Sequence, residues 1–246
     1  MKILNNLDKF FNSGNKALTL FMTLFYPEKE KFFNWVDILV ENGMDILEIG
    51  IPVQNPIMDG EVIRKSYGKV LENNIQEDEI ISALQTIKKK HPNLPIVIMS
   101  YYEGIKKYNL FDYGEYYDGI LCPDRFLVKE NNDVNIIQIY HEEMDDSTIK
   151  KLLANNDGFA YVLSGKGSTG GRCELSLNYK ITMNKIRRSS SIPIQIGFGI
   201  YEAEQIEKLL QSNVDGAIIG SEIIRKIENG NKDLMKDYIK ELKTVY

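Results

Sequence analysis

The chain has 246 residues, 43% of them hydrophobic, which is enough to bury the core of one large domain. Its net charge of −5 argues against a nucleic-acid-binding protein. No apolar run reaches the ~18 residues that a membrane-spanning helix needs, and the N-terminus lacks a signal-peptide pattern. Cys122 and Cys173 are the only cysteines, so we expect no disulfide framework and a cytoplasmic location. The two histidines lack metal-ligand spacing, so we expect no metal site.

The apolar pattern predicts strands and helices that alternate along the whole chain. A short amphipathic helix within residues 1–16 comes first, and we expect it to cover the bottom of a barrel. Helical spacing then recurs at residues 31–41, 61–72, 78–90, 147–155, 178–188, 203–212 and from 221 onward, and we expect the aromatic stretch 102–117 to be helical in part. Eight short apolar runs read as strands, at residues 17–25, 46–51, 95–101, 119–122, 135–140, 158–163, 193–197 and 215–219.

Eight strands that alternate with helices over this length predict an α/β fold, a single (β/α)8 TIM barrel spanning residues 1–246 with a short N-terminal helix. A doubly wound open sheet is the rival architecture. The turn after the first strand has no G-x-G-x-x-G fingerprint, which argues against that rival.

Two carboxylates stand out at the second predicted strand. Glu48 lies inside the apolar run 46–51, where an unpaired charge is costly to bury, and Asp59 follows on the loop before a helix. If their environments separate their pKa values, the two residues can divide acid and base work. The alternative is structural: Glu48 pairs with a cation inside the barrel, and Asp59 caps the helix. The residues alone leave both interpretations open.

Glycine-rich turns follow the late strands. Residues 164–172 read S-G-K-G-S-T-G-G-R and suit a closing lid or an anion loop. The segments G-F-G-I (197–200) and I-G-S (219–221) end the last two predicted strands, and Ser221 opens a helix. Barrels often bind phosphate at these two loops and at such a helix N-terminus, so we expect phosphate there rather than plain tight turns.

Four aromatic residues lie near predicted strand ends and could line an apolar pocket, although a single aromatic at such a position is more often a core residue. They are Phe21, Tyr101, Tyr161 and Phe198.

Several segments together resemble the family of tryptophan synthase α subunits. They are L-E-I-G-I-P…P-I-M-D-G (47–60), Y-V-L-S…T-G (161–170), G-F-G-I (197–200) and G-A-I-I-G-S (216–221), and they occur in order over nearly the whole chain. The resemblance implies a lyase of tryptophan biosynthesis that cleaves indole-3-glycerol phosphate to indole and glyceraldehyde 3-phosphate. It places the catalytic carboxylates on Glu48 and Asp59. It places the other substrate-binding positions on Phe21, Tyr101, Tyr161, Gly170, Gly199, Gly220 and Ser221. From the residues alone we add Thr169, a hydroxyl donor in the glycine-rich loop, and Phe198, one of the aromatics near strand ends.

The resemblance also implies a partner and a cofactor pattern. The expected partner is the tryptophan synthase β subunit in an α2β2 complex, with pyridoxal phosphate only on β and no cofactor on this chain. The chain departs from the family at P-V-Q-N-P (52–56), where Asn55 replaces an aspartate that helps contact β, and at C-P-D-R-F (122–126). Two alternatives therefore stay open: a lyase that works alone and releases indole, and a catalytically weak allosteric partner of β.

Overall fold

The computed structural model describes residues 4–128, 134–165 and 176–246. Its parallel strands form one sheet in the order β5-β4-β3-β2-β1-β9-β8-β7-β6, with helices between them. The strands are Ala17–Thr23 (β1), Ile46–Gly50 (β2), Ile96–Met99 (β3), Gly119–Leu121 (β4), Asn135–Ile137 (β5), Ile139–Tyr140 (β6), Ala160–Leu163 (β7), Ile194–Gly197 (β8) and Gly216–Ile219 (β9). The predicted barrel is confirmed, with the fifth predicted strand divided into β5 and β6.

The helices within the described ranges follow the predicted spacing, with ends shifted by a few residues. They are Asn6–Asn12 (α1), Lys29–Glu41 (α2), Glu61–Leu71 (α3), Glu77–Lys90 (α4), Tyr102–Lys107 (α5), Asp146–Leu153 (α6), Tyr179–Arg187 (α7), Ala203–Leu210 (α8), Ser221–Asn229 (α9) and Lys232–Lys243 (α10), with a 3-10 helix at Leu110–Tyr116. Among these described helices, none is both long and apolar enough to cross a membrane.

Gln138 causes the break between β5 and β6. Its backbone N–H donates to Asn156 Oδ1 at 2.8 Å instead of to a neighbouring strand. Its carbonyl oxygen still accepts from the Tyr161 N–H at 3.0 Å. β5 therefore pairs with β4, and β6 pairs with β7. The backbone at Gln138 connects β5 to β6 directly and so joins the two ends of the strand order.

Strands β1 and β2 lie at the centre of the sheet order and are buried along their whole length. Their register sets Phe21 beside Glu48. A Cβ added to Gly50 would lie 2.4 Å from the Phe21 ring, so glycine at this position leaves the space that the ring fills. Because parallel strands point the same way, the residues at and after the ends of β1, β2, β8 and β9 gather at one rim of the barrel.

The N-terminal helix covers the opposite rim, as predicted. Leu7 of α1 is fully buried. Asp118, which precedes β4, accepts hydrogen bonds from the Asn6 N–H at 2.9 Å, the Ile96 N–H at 2.8 Å and Lys88 Nζ at 2.7 Å. One buried carboxylate thus fastens α1, β3 and α4 together at the bottom of the barrel.

We expect Asp118→Ala to lower the free energy of unfolding by about 3–5 kcal/mol, because it leaves buried donors and the Lys88 ammonium without their acceptor. Urea denaturation followed by circular dichroism measures the change. Asp112→Ala, at an exposed position, is the matched control and should change it by less than about 0.5 kcal/mol. Equal stabilities of the two variants would contradict the role assigned to Asp118.

Candidate active site

A cleft opens at the carboxyl ends of the strands and measures about 770 Å³ with the space at its mouth included. Glu48 and Asp59 lie in its wall together with Phe21, Tyr161 and Ser221. The structure therefore brings to one place the two predicted carboxylates, three of the four predicted aromatics and the two predicted phosphate turns at residues 197–200 and 219–221.

Glu48 projects from the buried strand β2 and is only 4% exposed. Within the described ranges no side chain forms an ion pair or hydrogen bond with its carboxyl group, so the structural alternative of a barrel cation has no support there. Burial, and secondarily the charge of Asp59, raises the pKa of Glu48 to about 8. The group is therefore mostly protonated at neutral pH and can act as an acid.

Asp59 follows β2 on a loop and is 5% exposed. Its Oδ2 accepts a hydrogen bond of 2.9 Å from the Tyr101 hydroxyl, whose oxygen accepts in turn from the Met58 N–H at 2.8 Å. Gly60, not Asp59, is the N-cap of α3, so the capping alternative does not describe this side chain. Burial raises the pKa of Asp59 to about 6, while the Tyr101 hydrogen bond and the charge of Arg64 oppose that rise.

The two carboxyl groups thus differ in ionisation near neutral pH. Glu48 holds its proton and Asp59 has lost its own, because only Asp59 has a donor and a nearby cation to stabilise the anion. An acid and a base that face one cleft can move protons onto and off a bound molecule in the same step.

The aromatic side chains take two positions. Phe21, Tyr161 and Phe198 line the cleft, and the rings of Tyr161 and Phe198 meet edge to face with centroids 6.4 Å apart. Tyr101 instead reaches the site through its hydrogen bond to Asp59. A Cβ on Gly197 would lie 2.2 Å from the Tyr161 hydroxyl, so the glycine before Phe198 makes room for this phenol.

The far end of the cleft suits an anion. Phe198 and Gly199 both have left-handed backbone (φ 75° and 73°), and Ser164 Oγ holds this turn by donating to the Phe198 carbonyl at 2.6 Å. Gly199, Gly220 and Ser221 line the cleft at the start of α9. Among the described residues the buried Ser221 hydroxyl has no hydrogen-bond partner, which leaves it available for a ligand. A helix N-terminus with free backbone N–H groups attracts negative charge.

Two predicted substrate-binding residues, Thr169 and Gly170, lie outside the described residues, as does most of the glycine-rich loop 164–172. The prediction for that loop therefore stays a prediction.

The cleft also contains polar residues that were not predicted from the sequence. Tyr201 follows the turn after β8, and Glu222 and Arg225 lie on the first turns of α9. The spacing of positions 221, 222 and 225 on one helix could have indicated a shared face. Apolar residues complete the wall, namely Met58, Ile63, Met99, Leu121, Pro123, Ile139, Ile200 and Ile218.

Among the residues that the structure describes, no cluster of three His, Cys, Asp or Glu side chains could hold a metal ion.

Comparison with known proteins gives one consistent result. The family described as tryptophan synthase alpha chain matches residues 7–245. Tryptophan synthase alpha chains from Thermoanaerobacter sp. and Alkaliphilus metalliredigens are 32% and 31% identical to this chain. The alignments cover 98% and 94% of it and 100% and 91% of the relatives.

Solved structures agree with the fold. A chain of the tryptophan synthase a2b2 complex from the hyperthermophile Pyrococcus furiosus, studied for the mutual activation of that complex, has a TM-score of 0.82 and 25% identity. The match covers 93% of this chain and 98% of that one. Mycobacterium tuberculosis tryptophan synthase gives a TM-score of 0.85 at 21% identity, with 99% and 98% covered, and supports the fold alone.

The raised pKa of Glu48 has a consequence for stability. Between the ordinary carboxyl pKa of about 4.5 and the folded value of about 8, the folded chain binds a proton that the unfolded chain has lost. Folding stability therefore falls as pH rises through this window. Glu48→Gln removes the titration, so we expect the variant to gain stability over the wild type as pH increases from about 5 to about 8.

Thermal melts of the wild type and Glu48→Gln at several pH values measure this difference. Exposed Glu115→Gln is the control and should show a constant offset across the range. A difference between wild type and Glu48→Gln that does not change with pH would contradict the raised pKa.

Proposed function

This chain belongs to the tryptophan synthase alpha chain family, and we propose that Glu48 and Asp59 divide the proton transfers of the family's lyase reaction. That reaction cleaves the carbon–carbon bond of indole-3-glycerol phosphate and yields indole and glyceraldehyde 3-phosphate, within tryptophan biosynthesis. The observation that carries the proposal is the pair of buried carboxyls in one cleft, one protonated and one ionised near neutral pH.

The proposed steps conserve all atoms of the substrate. Protonated Glu48 donates its proton to C3 of the indole ring, while the Asp59 carboxylate accepts the hydrogen of the ring N–H and stabilises positive charge on that nitrogen. The Glu48 carboxylate then takes the proton of the hydroxyl on the glycerol carbon that is bonded to the ring. The carbon–carbon bond breaks and its electron pair returns through the ring to the nitrogen. Asp59 gives the proton back to that nitrogen, so both carboxyl groups end in their starting protonation states.

The Tyr101 hydroxyl supports the role of Asp59. Burial and the charge of Asp59 raise the pKa of Tyr101, so the phenol stays a donor at every pH at which the enzyme would work. Its hydrogen bond holds Oδ2 in one direction, which leaves the other oxygen of Asp59 for the indole N–H.

The remaining contacts in the proposal follow the shape of the substrate. Phe21, Tyr161 and Phe198 would contact the indole ring, and Gly199, Gly220 and Ser221 would bind the phosphate at the start of α9. Gly170 is proposed to complete the phosphate end on the strength of the family resemblance, and Thr169 because it adds a hydroxyl donor in the same glycine-rich sequence segment. This reaction needs no metal or organic cofactor, and pyridoxal phosphate would belong to the β subunit. A cytoplasmic location is part of the proposal, consistent with the free, buried thiol of Cys122.

We expect Glu48→Gln to slow indole release by about 10²–10⁴-fold, because the amide can neither donate the proton to C3 nor take the hydroxyl proton. Asp59→Asn should be nearly as slow, since it keeps the shape but loses the charge that faces the ring nitrogen. The measurement is indole formation from indole-3-glycerol phosphate by each purified, folded variant. Glu115→Gln should keep the wild-type rate.

The same rates distinguish an active lyase from a catalytically weak partner of the β subunit. Wild-type turnover by Glu48→Gln would overturn the catalytic assignment of that residue. If the wild type itself released no indole, with or without β, the chain would be a catalytically weak partner.

We further propose that the rim of the cleft binds the tryptophan synthase β subunit. Ile57 and Met58 on the loop after β2, and Phe126 and Val128 on the loop after β4, expose 73%, 48%, 55% and 66% of their surfaces at the rim that carries the cleft. Large exposed apolar side chains that gather on one face are typical of a protein interface. Asn55 lies exposed in the first of these loops.

We expect Asn55→Asp to tighten the binding of the cognate β subunit, because it restores a charge that can pair with a cation across the interface. A gain of ~1.4 kcal/mol corresponds to about tenfold in Kd. The measurement is the indole-release rate as β is titrated in. Gln54→Glu places the same charge one residue away and should have a smaller effect.

If the wild type and Asn55→Asp respond identically to β, the charge at position 55 does not control the coupling. If β changes the rate of neither, the chain works alone.

A further inference from the structure

The first turns of α9 carry a charge pattern that the proposed reaction does not explain. Ser221 and Glu222 open the helix, Arg225 follows one turn later, and all three line the cleft. The Glu222 side chain is only 8% exposed, so a nearly buried carboxylate lies at the end of the cleft where the helix N-terminus attracts anions.

A carboxylate there opposes a phosphate ligand. Two anions near one helix N-terminus repel each other, and burial weakens the screening by water and salt. Arg225 Nη1 lies 3.2 Å from Glu222 Oε2 and Lys226 Nζ lies 3.8 Å from Glu222 Oε1, so both cations offset this charge.

The two cations differ in position. Lys226 Nζ lies 4.0 Å from the centroid of the Tyr238 ring, on the side of α9 that packs against α10, whereas the Arg225 side chain contributes to the cleft wall. A guanidinium has five N–H donors in a rigid fork, so it can bind a carboxylate with one edge and a phosphate with another. An ammonium is a point charge without such a fork.

We propose that Arg225 is a specificity residue for the substrate's phosphate: it donates directly to the phosphate oxygens, and Glu222 holds its guanidinium in the required orientation. This rests on the proposed function, because it assumes that a phosphate binds at the start of α9. Among the residues that the structure describes, it adds a side-chain cation to the Ser221 hydroxyl and the helix N-terminus at the proposed phosphate site. The site should therefore prefer a phosphate-bearing ligand to an uncharged one of the same shape.

The test is equilibrium binding measured by calorimetry, with sn-glycerol 3-phosphate and inorganic phosphate as the phosphate probes and indole as the phosphate-free probe. We expect Arg225→Gln to raise the Kd of both phosphate probes about tenfold or more, because a charge-assisted hydrogen bond is lost. The Kd of indole should not change. Lys226→Gln, one residue away and outside the cleft wall, should change the Kd of the phosphate probes by no more than about twofold.

A second pair of variants separates direct contact from mere neutralisation of Glu222. We compare Glu222→Gln with the double variant E222Q/R225Q, so that the carboxylate is absent from both. If Arg225 contacts the phosphate, the double variant binds glycerol 3-phosphate at least about fivefold more weakly than Glu222→Gln. If Arg225 only neutralises Glu222, the two variants bind equally, and that result overturns the proposal.

If Arg225→Gln fails to fold, Arg225→Lys provides a second test. It keeps the charge but loses the fork, so glycerol 3-phosphate should bind about threefold or more weakly than to the wild type, with indole unchanged. Unchanged phosphate binding by Arg225→Lys and Arg225→Gln, or an equal loss for indole, overturns the role of Arg225. If the binding results overturn the role of Arg225 but the wild type still releases indole, the proposed function stands without that role. A wild type that binds no phosphate probe and releases no indole overturns both.

Discussion

The site depends on one carboxyl group buried in a parallel strand. Glu48 occupies a position of β2 where an apolar residue would be expected, and within the described structure no partner compensates for its removal from water. The protein can bury this group because the group keeps its proton, which is the state that a low-dielectric surrounding favours. An acid catalyst must hold a proton that it can donate to a ligand in the cleft. The burial of Glu48 keeps that proton in place, so the same burial explains both the protonation state and the proposed acid role.

Asp59 shows how a second carboxyl in the same cleft becomes the base. It is buried nearly as deeply, but Tyr101 donates to it and Arg64 is close enough to favour the anion. The difference comes from position in the barrel. Glu48 is fixed by a strand, whereas Asp59 lies on the loop that follows and meets the side chain of Tyr101, which comes between β3 and α5. Loops at the carboxyl ends of barrel strands can adapt in this way without disturbing the core.

Much of the fold could be predicted because its signals are local. Apolar runs and helical spacing identified the strands and helices to within a few residues. The break at Gln138 could not be predicted, because residues 135–140 read as one strand and the break arises from contacts with Asn155, Asn156 and Leu127. Long-range side-chain contacts of this kind leave no periodic pattern in the sequence.

The site was predictable in part for the same reason. Glu48 stood out because a carboxylate conflicts with an apolar strand, and Asp59 because it follows on the loop at the end of that strand. Glycines marked the turns after β8 and β9. The hydrogen bond from Tyr101 to Asp59 depends on the conformation of the loop that carries Asp59. Whether Glu222 and Arg225 line the cleft depends on the rotation of α9 about its own axis. Spacing alone identifies residues that share a helix face but not the cavity that the face meets.

The most direct measurement of the central claim is a carboxyl titration by isotope-edited infrared spectroscopy, with Glu48→Gln and Asp59→Asn used to assign the bands. The pair should titrate in two apparent steps. The account predicts that the band absent from Glu48→Gln titrates above pH 7, and that the band absent from Asp59→Asn titrates below it. If Glu48 ionised at a lower pH than Asp59, the acid and base roles assigned here would be contradicted.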